Sequence, residues 1–193
     1  MRIFSIAVFA SGAGSNFIRL YDYFSKIDEI DISFVLCNNP EAYVLNECAQ
    51  RGQRSIVISN DDVANENFLT DLCISESIDC IILAGFLRKI PDNLIRAFTN
   101  RIVNIHPSIL PDFGGKGMYG NRVHQAVFEA GVQETGITIH FVNEGFDEGA
   151  KIAQFYVSIN ASDTPETIKN KVQHLEHTYF PIVCAETIQS LDV

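Results

Sequence analysis

Positive charge is scarce in this chain: 14 Lys and Arg stand against 24 Asp and Glu, for a formal net charge of −10. No stretch gathers basic side chains into a block, which argues against a nucleic-acid partner, because phosphate backbones are held by clustered Lys and Arg. Small anions are not excluded, since local amides hold them whatever the net charge. Apolar runs of bilayer length are missing too, so no membrane partner is expected. Met1–Ala10 has the basic residue and short apolar run of a secretory signal. The run stops at strand length and enters a glycine loop, so it reads as a first strand. The five cysteines (37, 48, 73, 80 and 184) are odd in number and contain no Cys-x-x-Cys pair. Reduced, buried thiols in a cytoplasmic setting are expected. No Cys/His cluster is spaced as a ligand set, so no metal is expected. Repeats, linkers and low-complexity segments are absent, and the 193 residues fit one domain, 1–193.

What is present is alternation of strand and helix. Buried strands are expected at Ile3–Ala10, Ile32–Cys37, Arg54–Ile58, Cys80–Leu83 and Arg101–Ile105. Between them fall a helix with Phe17, Leu20, Tyr21, Phe24 and Ile27 on one face, and another over Glu41–Arg51 closed by Gly52. A third carries Phe68, Leu69, Leu72 and Cys73 behind a cap in Asn60-Asp61-Asp62, and a short one spans Pro91–Phe98. A loop with four glycines fills Pro107–Gly120, before a helix capped by Asn121 and closed by Gly131. Thr135–Val142 and Lys151–Ile159 alternate apolar and polar. Their connection is too short for a crossover helix, so they form an antiparallel pair. A last helix starts at Thr164-Pro165 and is kinked or broken near Pro181. The fold class is α/β, one doubly wound, mostly parallel Rossmann-like sheet with antiparallel strands in the C-terminal third.

Three stretches carry chemistry. In Asn104-Ile105-His106-Pro107, two polar side chains lie two apart on a strand and share a face, and proline then ends the strand. A polar strand end with His106 capping backbone groups explains the pattern equally well. Ser11-Gly12-Ala13-Gly14-Ser15-Asn16 turns tightly into a helix start, a geometry that cradles phosphate, though a purely structural strand-to-helix turn has the same residues. It is not the dinucleotide fingerprint, because Phe17 stands where the third glycine would fall, and it lacks the P-loop lysine. Asp147 lies in the acidic turn Asn143–Gly149, otherwise a solvated loop. If the two strand-end loops converge on one rim, Asn104, His106 and Asp147 form an oxyanion site able to move protons. No serine or cysteine nucleophile stands beside them, so the attacking group comes from the substrate.

Nearly end to end, the chain resembles the phosphoribosylglycinamide formyltransferases of purine biosynthesis, folate-dependent one-carbon transferases. The resemblance is carried by Ser11–Asn16, Leu83–Arg88, Asn104–Pro111, Gly114–Gly120 with Val123-His124, His140–Val142, Asp147–Gly149, Gln173 with Glu176-His177, and Tyr179–Pro181. It implies transfer of a formyl group from the co-substrate 10-formyltetrahydrofolate to the amine of glycinamide ribonucleotide, in a monomer or homodimer. By the same resemblance, Gly14, Ser15 and Asn16 hold the ribonucleotide phosphate and Gln173 and Glu176 contact that substrate. Leu87, Arg88, Lys89, Ile90 and Asn104 meet the folate. Asn104 and His106 are catalytic with Asp147, which raises the pKa of His106. The glycine-rich loop, with Lys116 and Met118, closes over the site.

Two alternatives share the motifs: a formyltetrahydrofolate hydrolase, which carries a further regulatory domain, and a non-catalytic nucleotide-binding module. A methionyl-tRNA formyltransferase would need a basic face and a further C-terminal domain. His174 is expected at the surface, His177 near the site, His124 as a structural helix-start residue and His140 as a satisfied interior histidine. One departure stands out. Related enzymes often carry a basic residue before the third helix to meet the folate's anionic tail, whereas Asn60–Phe68 here is acidic and amidic.

Overall fold

The computed structural model, which describes residues 2–65 and 67–191, starts in the middle of its sheet. Phe4–Ala10 (β1) lies beside Ile30–Cys37 (β2), with Ser55–Val57 (β3) beyond it. On its other side come Cys80–Leu83 (β4) and Ile102–His106 (β5), and all five strands are parallel. Glu134–Phe141 (β6) adds antiparallel to β5, and Lys151–Ser158 (β7) antiparallel to β6. The order is therefore β3-β2-β1-β4-β5-β6-β7. Winding runs outward from β1 to one edge, then restarts at β4 toward the other. The crevice between the carboxyl ends of β1 and β4 is where such sheets hold ligands.

The helices are Ser15–Phe24 (α1), Val44–Arg51 (α2), Asn60–Ala64 (α3), Phe68–Ser75 (α4), Asp92–Ala97 (α5), Asn121–Ala130 (α6) and Pro165–Gln189 (α7). Alternation along the strands divides the core between two faces. Ile6, Val8 and Ala10 of β1 face α1, α2, α6 and α7, while Ala7 and Phe9 face α3, α4 and α5. On β5, Val103 and Ile105 belong to the first core and Ile102 to the second. Asn104 and His106 therefore share the α5 side with Ile102.

Several boundaries differ from the expectation, each for a local reason. β3 is only three residues long, as an outermost strand with a single neighbour can be. A short helix, α3, precedes α4. Its cap is Ser59 rather than Asn60, because Ser59 and Asp62 bond reciprocally: Asp62 N–H to Ser59 Oγ at 3.1 Å, Ser59 N–H to Asp62 Oδ2 at 2.8 Å. α1 ends at Phe24, before Ile27, and Pro91 precedes α5 instead of entering it. Asn121 is the first residue of α6, with Gly120 at the cap. α7 continues through Pro181 for 25 residues. Pro181 is buried among Phe180, Val183 and Cys184, so packing of that face outweighs the backbone bond that proline removes.

Candidate active site

The β5–β6 pairing sets the site. Asn104 lies opposite His140, and His106 opposite Thr138. Thr138 is fully buried and pins the chain leaving β5: its hydroxyl donates to the Ser108 carbonyl at 2.8 Å and accepts the Leu110 N–H at 2.9 Å. His140 is 2% exposed. Its Nδ1 faces the Phe141 carbonyl at 2.8 Å and so carries the hydrogen. Nε2 is then bare and accepts from Asn104 Nδ2 at 3.1 Å. Burial pushes the His140 pKa below the ordinary imidazole value; the Phe141 carbonyl and Asp147 oppose this, and His106 adds to it. A neutral His140 leaves the second amide hydrogen of Asn104 free for another acceptor.

His106, 3% exposed, donates Nε2–H to the Phe113 carbonyl at 2.9 Å. Its Nδ1 stands 3.4 Å from Asp147 Oδ2, while Asp147 Oδ1 is 3.7 Å from His140 Nε2. The carboxylate is fixed from the glycine-rich loop, where the Gly115 N–H donates to Oδ2 at 2.9 Å. Asp147 itself has a φ of 60°, a left-handed conformation that Asp tolerates better than most residues. The convergence is as expected, but the route is different. β6 runs against β5, so its loop leaves beside the amino end of β5, with Val142 N–H on the Ile102 carbonyl at 2.9 Å. The loop then doubles back along the sheet face to bring Asp147 to His106.

The other end of the site is the start of α1. Gly14, at φ 80°, admits no side chain: a Cβ there would lie 2.7 Å from Val44 Cγ2 and 3.0 Å from the Val44 Cα. No side chain caps α1 and its first turn holds no acid, leaving N–H groups and the positive end of the helix dipole open. Gln173 Nε2 reaches Ser15 Oγ at 3.4 Å, and Asn16 Nδ2 donates to Glu176 Oε2 at 3.0 Å. Asn16 Oδ1 is buried without a partner. Burial raises the Glu176 pKa, against the opposing Asn16 bond.

A cavity of about 700 Å³ joins the two ends. Leu87, Arg88, Lys89 and Ile90 line it, as do Asn16, Gln173 and Glu176; Gly14 and Ser15 stand beside it at the helix start. Lys116 and Met118 line it from the glycine-rich loop. Ser11 ties the walls together. Its hydroxyl donates to Asn38 Oδ1 at 2.6 Å and accepts the Leu87 N–H at 2.9 Å, while its N–H meets the Gly85 carbonyl at 3.1 Å. Among the described residues, no group of three or more His, Cys, Asp or Glu is placed to hold a metal ion.

A formyl transferase family model matches residues 4–184. The chain belongs to the formyl transferase family. Among its relatives, the chloroplastic phosphoribosylglycinamide formyltransferase of Arabidopsis thaliana is 38% identical over 95% of this chain and 66% of its own length. The chain thus spans just under two thirds of that plant protein. It spans 93% of the Bacillus subtilis phosphoribosylglycinamide formyltransferase, to which it is 34% identical over 94% of its length. Among solved structures, glycinamide ribonucleotide transformylase 1 from Geobacillus kaustophilus superposes with a TM-score of 0.88 at 34% identity, covering 97% of this chain and 100% of that one.

In this formyl transferase, two histidines do more than residue type suggested. His140 is a satisfied interior histidine, and it also holds the Asn104 amide. Its signal was the spacing of Thr138 and His140, two apart on β6 just as Asn104 and His106 are on β5. His124 is buried on α6, yet it lines the cavity and its Nδ1 has no partner. His174 is exposed, as expected. His177 does not line the cavity; its Nε2 is buried without a partner.

Proposed function

We propose that this chain transfers the formyl group of 10-formyltetrahydrofolate to the amine of glycinamide ribonucleotide, yielding formylglycinamide ribonucleotide and tetrahydrofolate in de novo purine synthesis. The observation that carries it is the meeting of Asn104, His106 and Asp147 on one wall of a cavity whose far end is an uncapped helix start. The phosphate sits at Gly14, Ser15 and Asn16, Gln173 and Glu176 hold the ribonucleotide from α7, and the folate lies along Leu87–Ile90. The substrate amine attacks the formyl carbon. The carbonyl oxygen becomes an oxyanion against the free Asn104 amide hydrogen and the His106 Nε2–H, which turns to it from the Phe113 carbonyl. Collapse of the tetrahedral intermediate breaks the bond to the folate nitrogen, and the proton lost by the amine reaches that nitrogen through His106, oriented by Asp147, or through a water held between them. Holding two substrates in register contributes heavily to the rate. The buried, unpaired thiols support a reducing compartment, and the cytoplasm is the site we assign.

Incubating the protein with 10-formyltetrahydrofolate, with and without glycinamide ribonucleotide, tests this directly by the absorbance change on deformylation. Deformylation only with the amine present is the expected result. Formate release without it identifies a hydrolase, and inertness in both identifies a binding module; either overturns the proposal.

A further inference from the structure

The cradle at the start of α1 has no cationic side chain of its own. Gly14, Ser15 and Asn16 are neutral, and the ionisable group bonded to them, Glu176, carries the wrong sign for a phosphate. A doubly charged phosphate would rest there on amides and a helix dipole alone. Lys169 can supply the missing charge. It lies four residues before Gln173 and seven before Glu176 on α7, which puts all three on one helix face. It lines the same cavity and its side chain is exposed. Lys171, two residues on, is tied to Asp163 and the Ser158 carbonyl, but Lys169 enters no ion pair among the described residues.

An independent observation comes from α6, which packs against α7. His124 is 6% exposed, lines the cavity, and leaves its Nδ1 without a partner. Burial first, then the charges of Lys169 and His106, push its pKa down to about 4. The ammonium and a neutral imidazole therefore share one patch of wall.

We propose that Lys169 is a binding residue for the phosphate of the sugar-phosphate substrate, completing from the α7 side a site whose other side is the start of α1, with the His124 ring as its hydrogen-bonding neighbour. This rests on the formyl-transfer reading of the cavity. Initial rates of Lys169→Ala and Lys169→Arg are compared with the unaltered protein, varying glycinamide ribonucleotide at saturating 10-formyltetrahydrofolate, with inorganic phosphate as competing inhibitor. A lost charge-assisted hydrogen bond raises the ribonucleotide KM about 10- to 100-fold in Lys169→Ala. Phosphate inhibition weakens by a similar factor, while kcat and the folate KM stay within about twofold. Lys169→Arg recovers most of the loss. An unaltered ribonucleotide KM, an equal rise in the folate KM, or no rescue by arginine overturns the assignment. If the unaltered protein transfers no formyl group at all, the reading of the whole cavity falls; if it does and Lys169→Ala matches it, only Lys169 falls.

Discussion

At the scale of single residues, the arrangement depends on a carboxylate held in an unusual backbone conformation. Asp147 sits at φ 60° and touches His106, His140 and the Gly115 amide. Asparagine tolerates that conformation as well as aspartate does, so Asp147→Asn removes the charge while sparing the loop. We expect kcat to fall at least about 100-fold, with the ribonucleotide KM and the melting temperature little changed. Steady-state kinetics beside a thermal melt would show it, and unaltered turnover would take Asp147 out of the chemistry. Asn104, His106 and Asp147 were all legible as candidates, since strand parity alone places the first two on one face. His140 was not. Its role depends on the β5–β6 register, which pairs it with Asn104 across a sequence separation of 36, and a single sequence does not display pairing register.

At the scale of elements, two glycines of one turn make opposite predictions. Gly14 combines a positive φ with a Cβ position 2.7 Å from Val44 Cγ2, whereas a Cβ on Gly12 meets nothing within 4 Å. Gly14→Ala should lose about 1–3 kcal/mol of stability through overpacking and raise the ribonucleotide KM by displacing the helix start. Gly12→Ala should stay within about 0.5 kcal/mol of the parent. Urea denaturation of both variants checks the contrast, and equal stabilities would contradict the packing of α1 against α2. The elements themselves were largely readable from periodicity and from terminators such as Gly52 and Gly131, both left-handed. Ends were less so. Whether Ser59 or Asn60 caps α3 depends on which side chain is bonded back by Asp62. The passage of α7 through Pro181 was hidden for a related reason: the apolar surroundings of Phe180 and Cys184 decide it, and they come from distant parts of the chain.

At the scale of the whole molecule, the two cores enclose all five cysteines as free thiols. Burial is the leading cause of each shift: it pushes Cys48 up to about 11, Cys73 and Cys80 to about 12, and raises Cys37 and Cys184 as well. The folded protein therefore keeps these protons at pH values where the unfolded chain releases them. Their contribution to stability is complete below the ordinary thiol value of 9.0 and is lost as pH rises toward 11 and 12. Melting temperature should fall across that window. At pH 8, Ellman's reagent should find essentially no reactive thiol in the native protein and all five after denaturation. Rapid labelling of several native thiols would contradict the burial. The doubly wound order with its antiparallel margin was foreseeable, because the 143–149 connection is too short for a crossover. The return of that connection over the sheet face was not, since it follows from β6 running against β5.

One hydroxyl joins what the fold otherwise keeps apart. Ser11 follows β1, yet it grips Asn38 after β2 and the Leu87 amide after β4. The compartment beside α1 and the compartment along Leu87–Ile90 thus hang from a common rivet. Removing that hydroxyl, as in Ser11→Ala, would strip a hydrogen-bond partner from both sides at once.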